Sequence, residues 1–228
     1  MILDLAFRAD NSGAFRVTLL GFGIWDLGFK IWSFYIIMAD KKTLRLKYKK
    51  LREELSEESV ETMSLQIANR ALKLPIWDKT YYHIFLPILA KKEVNTEYLL
   101  HILQGKDKSI VVSKADFNTG EMKNFLLQEN TVLKTSEYGI PEPVSGIEIS
   151  PEMIEVVFVP LLVYDKRGHR IGYGKGFYDR FLKRCNPNAV FVGLSFFDPE
   201  PEIFFEDLDV PLNFCVVPKE IFDFQNYR

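Results

Sequence analysis

Three glycines at alternate positions, Gly172, Gly174 and Gly176, stand inside the run Asp165-Lys166-Arg167-Gly168-His169-Arg170-Ile171-Gly172-Tyr173-Gly174-Lys175-Gly176-Phe177-Tyr178-Asp179-Arg180. Glycines spaced in this way let backbone N–H groups approach an anion with no Cβ in the path. A helix starting directly afterwards adds its positive N-terminal end. Lys175 lies between two of the glycines as a mobile point charge, with Arg170 and Arg180 close by in sequence. Together these features make a phosphate cradle. The loop is not a Walker A motif, because no Ser or Thr follows the lysine, and its GxGxG spacing is not that of the dinucleotide fingerprint. The bland alternative is a glycine-rich surface turn with solvated charges; an expected strand before the loop and an expected helix after it weigh against that.

A cradle needs rigid elements on either side. Residues 156–164 are apolar throughout, as expected of a central parallel strand buried on both faces. A helix is expected from about residue 176 to 184. Further upstream, Leu44, Tyr48, Leu51 and Leu55 recur every three to four residues and predict a helix from Lys41 onward. Ser56 followed by Glu57 and Glu58 predicts a second helix start, whose apolar face (Val60, Met63, Ile67, Ala71, Leu74) runs until Pro75 stops it. Strands are expected at 81–86, 109–113, 122–127, 189–194 and 214–217, with a short helix over 96–103. Alternating strands and helices predict one three-layer α/β/α domain, Rossmann-like, with a mainly parallel sheet. Its ligand site belongs at the carboxyl ends of the strands.

Composition narrows the class. The 228 residues are 47% hydrophobic and 14% aromatic, which suits a domain with a sizeable core and excludes collagen-like, disordered and disulfide-scaffold chains. Lysine plus arginine is 29 against 31 acids, a net charge of −2, so no whole-protein attraction to nucleic acid or membrane is expected. Cys185 and Cys215 form no CxxC pair, and His83, His101 and His169 cluster with neither. Thiolate zinc sites and disulfide frameworks are therefore poor fits, and a cytoplasmic location is expected. Residues 1–37 differ in character: seven of the twenty-one residues from 15 to 35 are aromatic. Arg16, Asp26 and Lys30 interrupt that stretch, and the uncharged run 31–39 is too short to span a bilayer. Met38-Ala39-Asp40-Lys41 looks like an ordinary bacterial-style start. The expectation is that residues 1–37 lie outside the working domain and residues 38–228 form it. The rival is an aromatic segment that lies on a membrane or partner surface.

The motif from Gly168 to Asp179 resembles the signature of the 5-formyltetrahydrofolate cyclo-ligases, G-x-R-[LI]-G-x-G-x-G-[YF]-Y-D. Other segments are similar too. Lys41-Lys42-Thr43-Leu44-Arg45 resembles the family's K-x-x-L-R. Glu93-Val94-Asn95-Thr96 resembles its E-x-x-T loop, and Tyr138-Gly139-Ile140-Pro141-Glu142-Pro143 its aromatic-G-I-x-E-P segment. Asp209-Val210-Pro211-Leu212-Asn213 resembles a D-x-x-[VL]-D run. Three positions depart from the pattern. Pro199 falls where the family often has Gln nearby, Leu208 replaces a common His, and Asn213 replaces an aspartate.

The resemblance implies an enzyme that closes 5-formyltetrahydrofolate to 5,10-methenyltetrahydrofolate with ATP and Mg²⁺. A cyclo-ligase-like paralogue that binds nucleotide without this folate activity is the alternative. It further implies nucleotide contacts from Lys41, Lys42, Thr43, Leu44 and Arg45, and from Arg170, Ile171, Gly172, Tyr173, Gly174, Lys175, Gly176, Phe177 and Tyr178. Lys175 would act on the transferring phosphoryl group. Glu93 would hold the pterin, Phe85, Tyr138 and Phe177 would wall it, and Asp209 with Asp179 would hold Mg²⁺. Other roles stay open at this point: a solvated helix face for Lys41 and Arg45, a loop carboxylate for Glu93, a helix-orienting group for Asp179, a turn residue for Asp209, core for Phe85 and Tyr138. His169 is expected to be a turn residue with nothing titratable beside it. The expected partners are small molecules acting on a monomer, with no nucleic acid and no membrane.

Overall fold

A computed structural model of the chain describes residues 7–9, 15–17, 40–206 and 208–225. Two compact units divide it, Met1–Ile36 and Ile37–Arg228. In the first, Phe7–Ala9 pairs antiparallel with Phe15–Val17. The other expectations for residues 1–37 lie outside the described residues. No helix among the described residues is long and apolar enough to cross a membrane.

The second unit opens with helices α1 (Lys41–Glu53) and α2 (Glu57–Ala71). Asp40 and Ser56 cap their N-termini by accepting from the N–H three residues on. Strand β1 (Tyr81–His83), helix α3 (Glu97–Gly105) and strands β2 (Ser109–Asp116), β3 (Glu121–Leu126) and β4 (Val156–Pro160) follow. Helix α4 (Phe177–Arg184) and strands β5 (Val190–Leu194), β6 (Phe214–Val216) and β7 (Ile221–Asp223) complete the unit. The sheet order is β7-β6-β5-β4-β1-β2-β3. Its five inner strands run parallel, and β3 and β7 close the two edges antiparallel. This is an α/β fold.

Alternation along the strands sorts the core into layers. On one face Tyr82, Val112, Phe158 and Val192 pack with Ile67 and Ala71 of α2 and with Leu99 and Leu103 of α3. On the other, Val111, Val157, Val159 and Phe191 pack with Phe181, Leu182 and Cys185 of α4. Helix α1 belongs to neither layer. Its Leu44 and Tyr48 pack on Leu162, Val163, Ile171 and Ile203, beyond the carboxyl end of β4.

Three expected elements change shape, and the first, the strand expected at 81–86, stops at His83. The run 156–164 does not form one strand. It stops at Pro160, which has no N–H for the ladder, and Val163–Tyr164 then pairs antiparallel with Arg170–Ile171. The second helix ends at Ala71, before Pro75 is reached. A hairpin, Leu133–Thr135 with Pro141–Pro143, and the edge strand β7 had no clear periodic signal.

Candidate active site

Consecutive strands leave β1 in opposite directions, to β2 on one side and β4 on the other. Ligands of open α/β sheets bind at such a reversal, outside the carboxyl ends of the strands. A cleft of about 410 Å³ lies there, and His83, Phe85 and Pro160 line it from the ends of β1 and β4.

One wall is basic. Lys41, Arg45 and Lys49 of α1 line it because residues four apart share a helix face. Lys42, Thr43 and Leu44 do not: Lys42 is exposed, the Thr43 N–H binds the Asp40 carboxylate, and Leu44 is core. The helical period that brings Lys41 and Arg45 inward turns those three away. Arg45 Nε donates to the Gly172 carbonyl at 3.0 Å and so ties α1 to the glycine loop. Residues 170 to 179 all line the cleft. Gly174 and Gly176 have φ of 90° and 70°, a region in which only glycine is unstrained. A Cβ on Gly174 would lie 3.0 Å from Arg45 Cζ. Lys175 is exposed, and its side chain has no hydrogen bond or ion pair among the described residues.

The same wall holds two carboxylates. Lys41 Nζ donates to Asp209 Oδ2 at 2.7 Å, and the Glu206 N–H donates to the same oxygen at 2.9 Å. Burial raises the Asp209 pKa, but those hydrogen bonds and the charges of Lys41 and Arg170 outweigh it, and the net result lies below the usual carboxylate range. Buried Arg170 donates through Nη2 to Asp179 Oδ1 at 2.7 Å and through Nη1 to the Val210 carbonyl. The Val210 N–H reaches Asp179 Oδ1 at 3.3 Å. Desolvation pulls the Arg170 pKa down, and Asp179 and Asp209 oppose it. In both carboxylates one oxygen carries these contacts, and among the described residues Asp209 Oδ1 and Asp179 Oδ2 carry no hydrogen bond. No three His, Cys, Asp or Glu side chains gather as a metal cluster among the described residues.

The opposite wall is aromatic with buried polar points. Phe117 stacks on Tyr138 at 3.8 Å between centroids and meets Phe177 edge-on at 4.9 Å. Tyr138 is 45% exposed and so is no core residue, whereas Phe85 is both buried core and cleft wall. Glu93 is buried, and its Oε2 accepts from the Ile88 N–H at 2.8 Å. Tyr173 stands between Lys49 and Lys91, whose ammonium groups lie 5.5 and 4.8 Å from its ring centre. Burial, with the Glu93 charge second, raises the Tyr173 pKa above its ordinary value.

His169 corrects an expectation: buried Asp165 lies beside it, with Asp165 Oδ2 3.0 Å from His169 Nδ1. The turn returns residue 169 to residue 165, and Phe205 stacks on the imidazole at 4.0 Å. Sequence reasoning gave no role to Lys49, Lys91, His83, Ser113 and Phe117, nor to Glu142 within its quoted segment, and all six line the cleft. Lys49 was there to be found, since it continues the four-residue spacing of Lys41 and Arg45. The others lie on segments that meet only in the fold. Pro199, Leu208 and Asn213 do not line the cleft.

A family model described as the 5-formyltetrahydrofolate cyclo-ligase family matches residues 37–218. This chain belongs to that family. The 5-formyltetrahydrofolate cyclo-ligase of Haemophilus influenzae is 28% identical over 177 residues, covering 75% of this chain and 94% of that protein. The cyclo-ligase of Mycoplasma genitalium is 30% identical over 162 residues, covering 70% and 86%. Among solved structures, the 5,10-methenyltetrahydrofolate synthetase of Aquifex aeolicus superposes with a TM-score of 0.71 at 28% identity, over 82% of this chain and 94% of that one. These cyclo-ligase relatives carry enzyme names, and this chain is an enzyme of their family.

Proposed function

We propose that this chain closes 5-formyltetrahydrofolate to 5,10-methenyltetrahydrofolate, using ATP and Mg²⁺ and releasing ADP and phosphate. One observation supports this most: a single cleft joins the glycine loop and the basic face of α1 to a wall of Phe117, Tyr138 and buried Glu93. The first suits a polyphosphate. The second suits a flat bicyclic ring with polar edges.

Ring closure must expel the formyl oxygen, a poor leaving group. Transfer of the γ-phosphoryl group to that oxygen makes one O–P bond, breaks the bond to ADP and leaves the formyl carbon electrophilic. N10 then attacks this carbon and loses its proton, and the oxygen departs as phosphate. The protein's part in such a transfer is mostly positioning and charge stabilisation. Lys175, whose side chain has no hydrogen bond or ion pair among the described residues, serves the transferring group. Arg45 and Lys41 serve the remaining phosphates, and the pair of buried Arg170 with half-buried Asp179 holds the loop in shape. Glu93 accepts from the pterin, and Phe85, Tyr138 and Phe177 exclude water around it.

Mg²⁺ is commonly bound through one or two carboxylates together with substrate phosphates. Asp209 and Asp179, each with one oxygen left over, fit that donor set. When bound, the ion would neutralise phosphate charge. The protein works as a monomer on small molecules in the cytoplasm, in keeping with two free, buried cysteines. Its working domain begins near Met38.

The test mixes the protein, 5-formyltetrahydrofolate and Mg-ATP and follows the near-ultraviolet absorbance of the methenyl product. It uses both the full chain and a form starting at Met38. Equal product from both is expected, only with nucleotide and metal present. Folded full-length protein that makes none would overturn the activity, and a Met38 form that misfolds would overturn the domain boundary.

A further inference from the structure

Beneath the aromatic wall lies a chain of polar groups that the proposed chemistry leaves unused. His83 on β1 and Asn124 on β3 are fully or almost fully buried, at 0% and 1% exposure, in an otherwise apolar layer. Both reach the same hydroxyl, on Ser113 of β2. His83 Nε2 lies 2.7 Å from Ser113 Oγ, and Ser113 Oγ donates to Asn124 Oδ1 at 2.7 Å. Register places them there: Ser113 pairs directly with Asn124, and His83 pairs with Val111, two residues before Ser113 on the same face. Ser113 is only partly buried and lines the cleft.

Proton counting fixes what Ser113 presents to a ligand. A hydroxyl has one proton and two lone pairs. Asn124 and His83 Nε2 between them take that proton and one lone pair. One lone pair of Ser113 Oγ is left, and the cleft is the side from which a ligand can reach it. Burying two polar side chains to fix one hydroxyl costs stability, which a surface serine would not require.

We infer that Ser113 Oγ accepts a hydrogen bond from an N–H of the bound pterin, a specificity contact that His83 and Asn124 hold in orientation. This rests on the folate reading of the cleft. A reduced pterin carries ring N–H groups and an exocyclic amino group, and an analogue lacking the matching donor would leave Ser113 unpaired.

The experiment measures the folate Kd, KM and kcat, with the melting temperature, for wild type, Ser113→Ala and Ser113→Thr. In the alanine variant folate Kd and KM should rise about tenfold, with kcat and the ATP KM within about twofold, as for one neutral hydrogen bond lost from binding alone. Threonine, which keeps the hydroxyl, should restore most of the affinity. If the alanine variant does not fold, Ser113→Cys, of similar size and a poor acceptor, must give the same split. Folate Kd and KM unchanged, with only a lower melting temperature, would make the three residues structural and overturn the inference. Wild type that binds 5-formyltetrahydrofolate without cyclising it would sink the activity alone, since Kd still reports on Ser113. Wild type that does not bind it sinks both.

Discussion

The positive charge of the basic wall comes from two short segments, the first three turns of α1 and the loop from Arg170 to Gly176. The aromatic wall takes one or two residues from each of several distant segments: Phe85 and Glu93 after β1, Ser113 and Phe117 on and after β2, Tyr138 from the Leu133–Thr135/Pro141–Pro143 hairpin and Phe177 at the start of α4. A phosphate group demands positive charge and open backbone N–H groups, which one loop and one helix face can supply. A ring of defined outline demands groups at several angles around it, and no contiguous stretch can surround a ring. The two walls should therefore fail differently when altered, the first in turnover and metal use, the second in substrate affinity.

The sharpest test of that contrast is Lys175→Gln. If its charge acts on the transition state, kcat should fall about 10²–10³-fold while the folate KM changes little. Steady-state kinetics with a kcat within about threefold of wild type would remove Lys175 from the chemistry. A smaller effect belongs to Asp209→Asn. The amide keeps the shape but loses the charge that balances Lys41, and the Mg²⁺ concentration for half-maximal rate should rise about tenfold. A metal titration that superposes on wild type would take Asp209 out of the metal site. Gly174→Ala should be the mildest of the three. Its φ of 90° costs an L-residue about 1–2 kcal/mol, and the new methyl would press on the Arg45 guanidinium. A urea melt should show that loss, and the ATP KM should rise while the folate KM holds. A shift in the folate KM instead would show that the two walls are one mechanical unit.

The same contrast explains which parts of the molecule were open to sequence reasoning. Buried strands such as β4 and β5 announce themselves, because burial on both faces leaves almost nothing polar in the run. The glycine loop does so too, since its glycines and basic residues stand next to one another in the chain. Lys42, Thr43 and Leu44 share a motif with Lys41 and Arg45 but not a helix face, so adjacency in the chain was a poor guide to adjacency in the cleft. Ser113 and His83 were invisible for the opposite reason. Each is an ordinary residue in an ordinary strand, and only the β1–β2 register makes them partners. Where Pro160 ends β4, the apolar pattern carried on unbroken, because Leu162 and Val163 beyond it are buried against α1 while Leu161 and Tyr164 stay in the layer that holds α4.

Helix α1 is held largely by segments more than a hundred residues further along the chain. Lys41 meets Asp209 across 168 residues, Tyr48 and Lys47 meet Glu200, and Arg52 donates to the Leu161 carbonyl. During synthesis at about 5–20 residues per second, the helix would emerge some 10–30 s before its anchor exists. Until residues 161–176 follow it, its basic face has no glycine loop to complete and its apolar stripe has little to lie on. On the proposed reading, nucleotide binding would be among the last properties the nascent chain acquires, and a chain cut short before residue 209 would lack the Lys41–Asp209 anchor. The first helix thus works as a latch that only a nearly finished polypeptide can close.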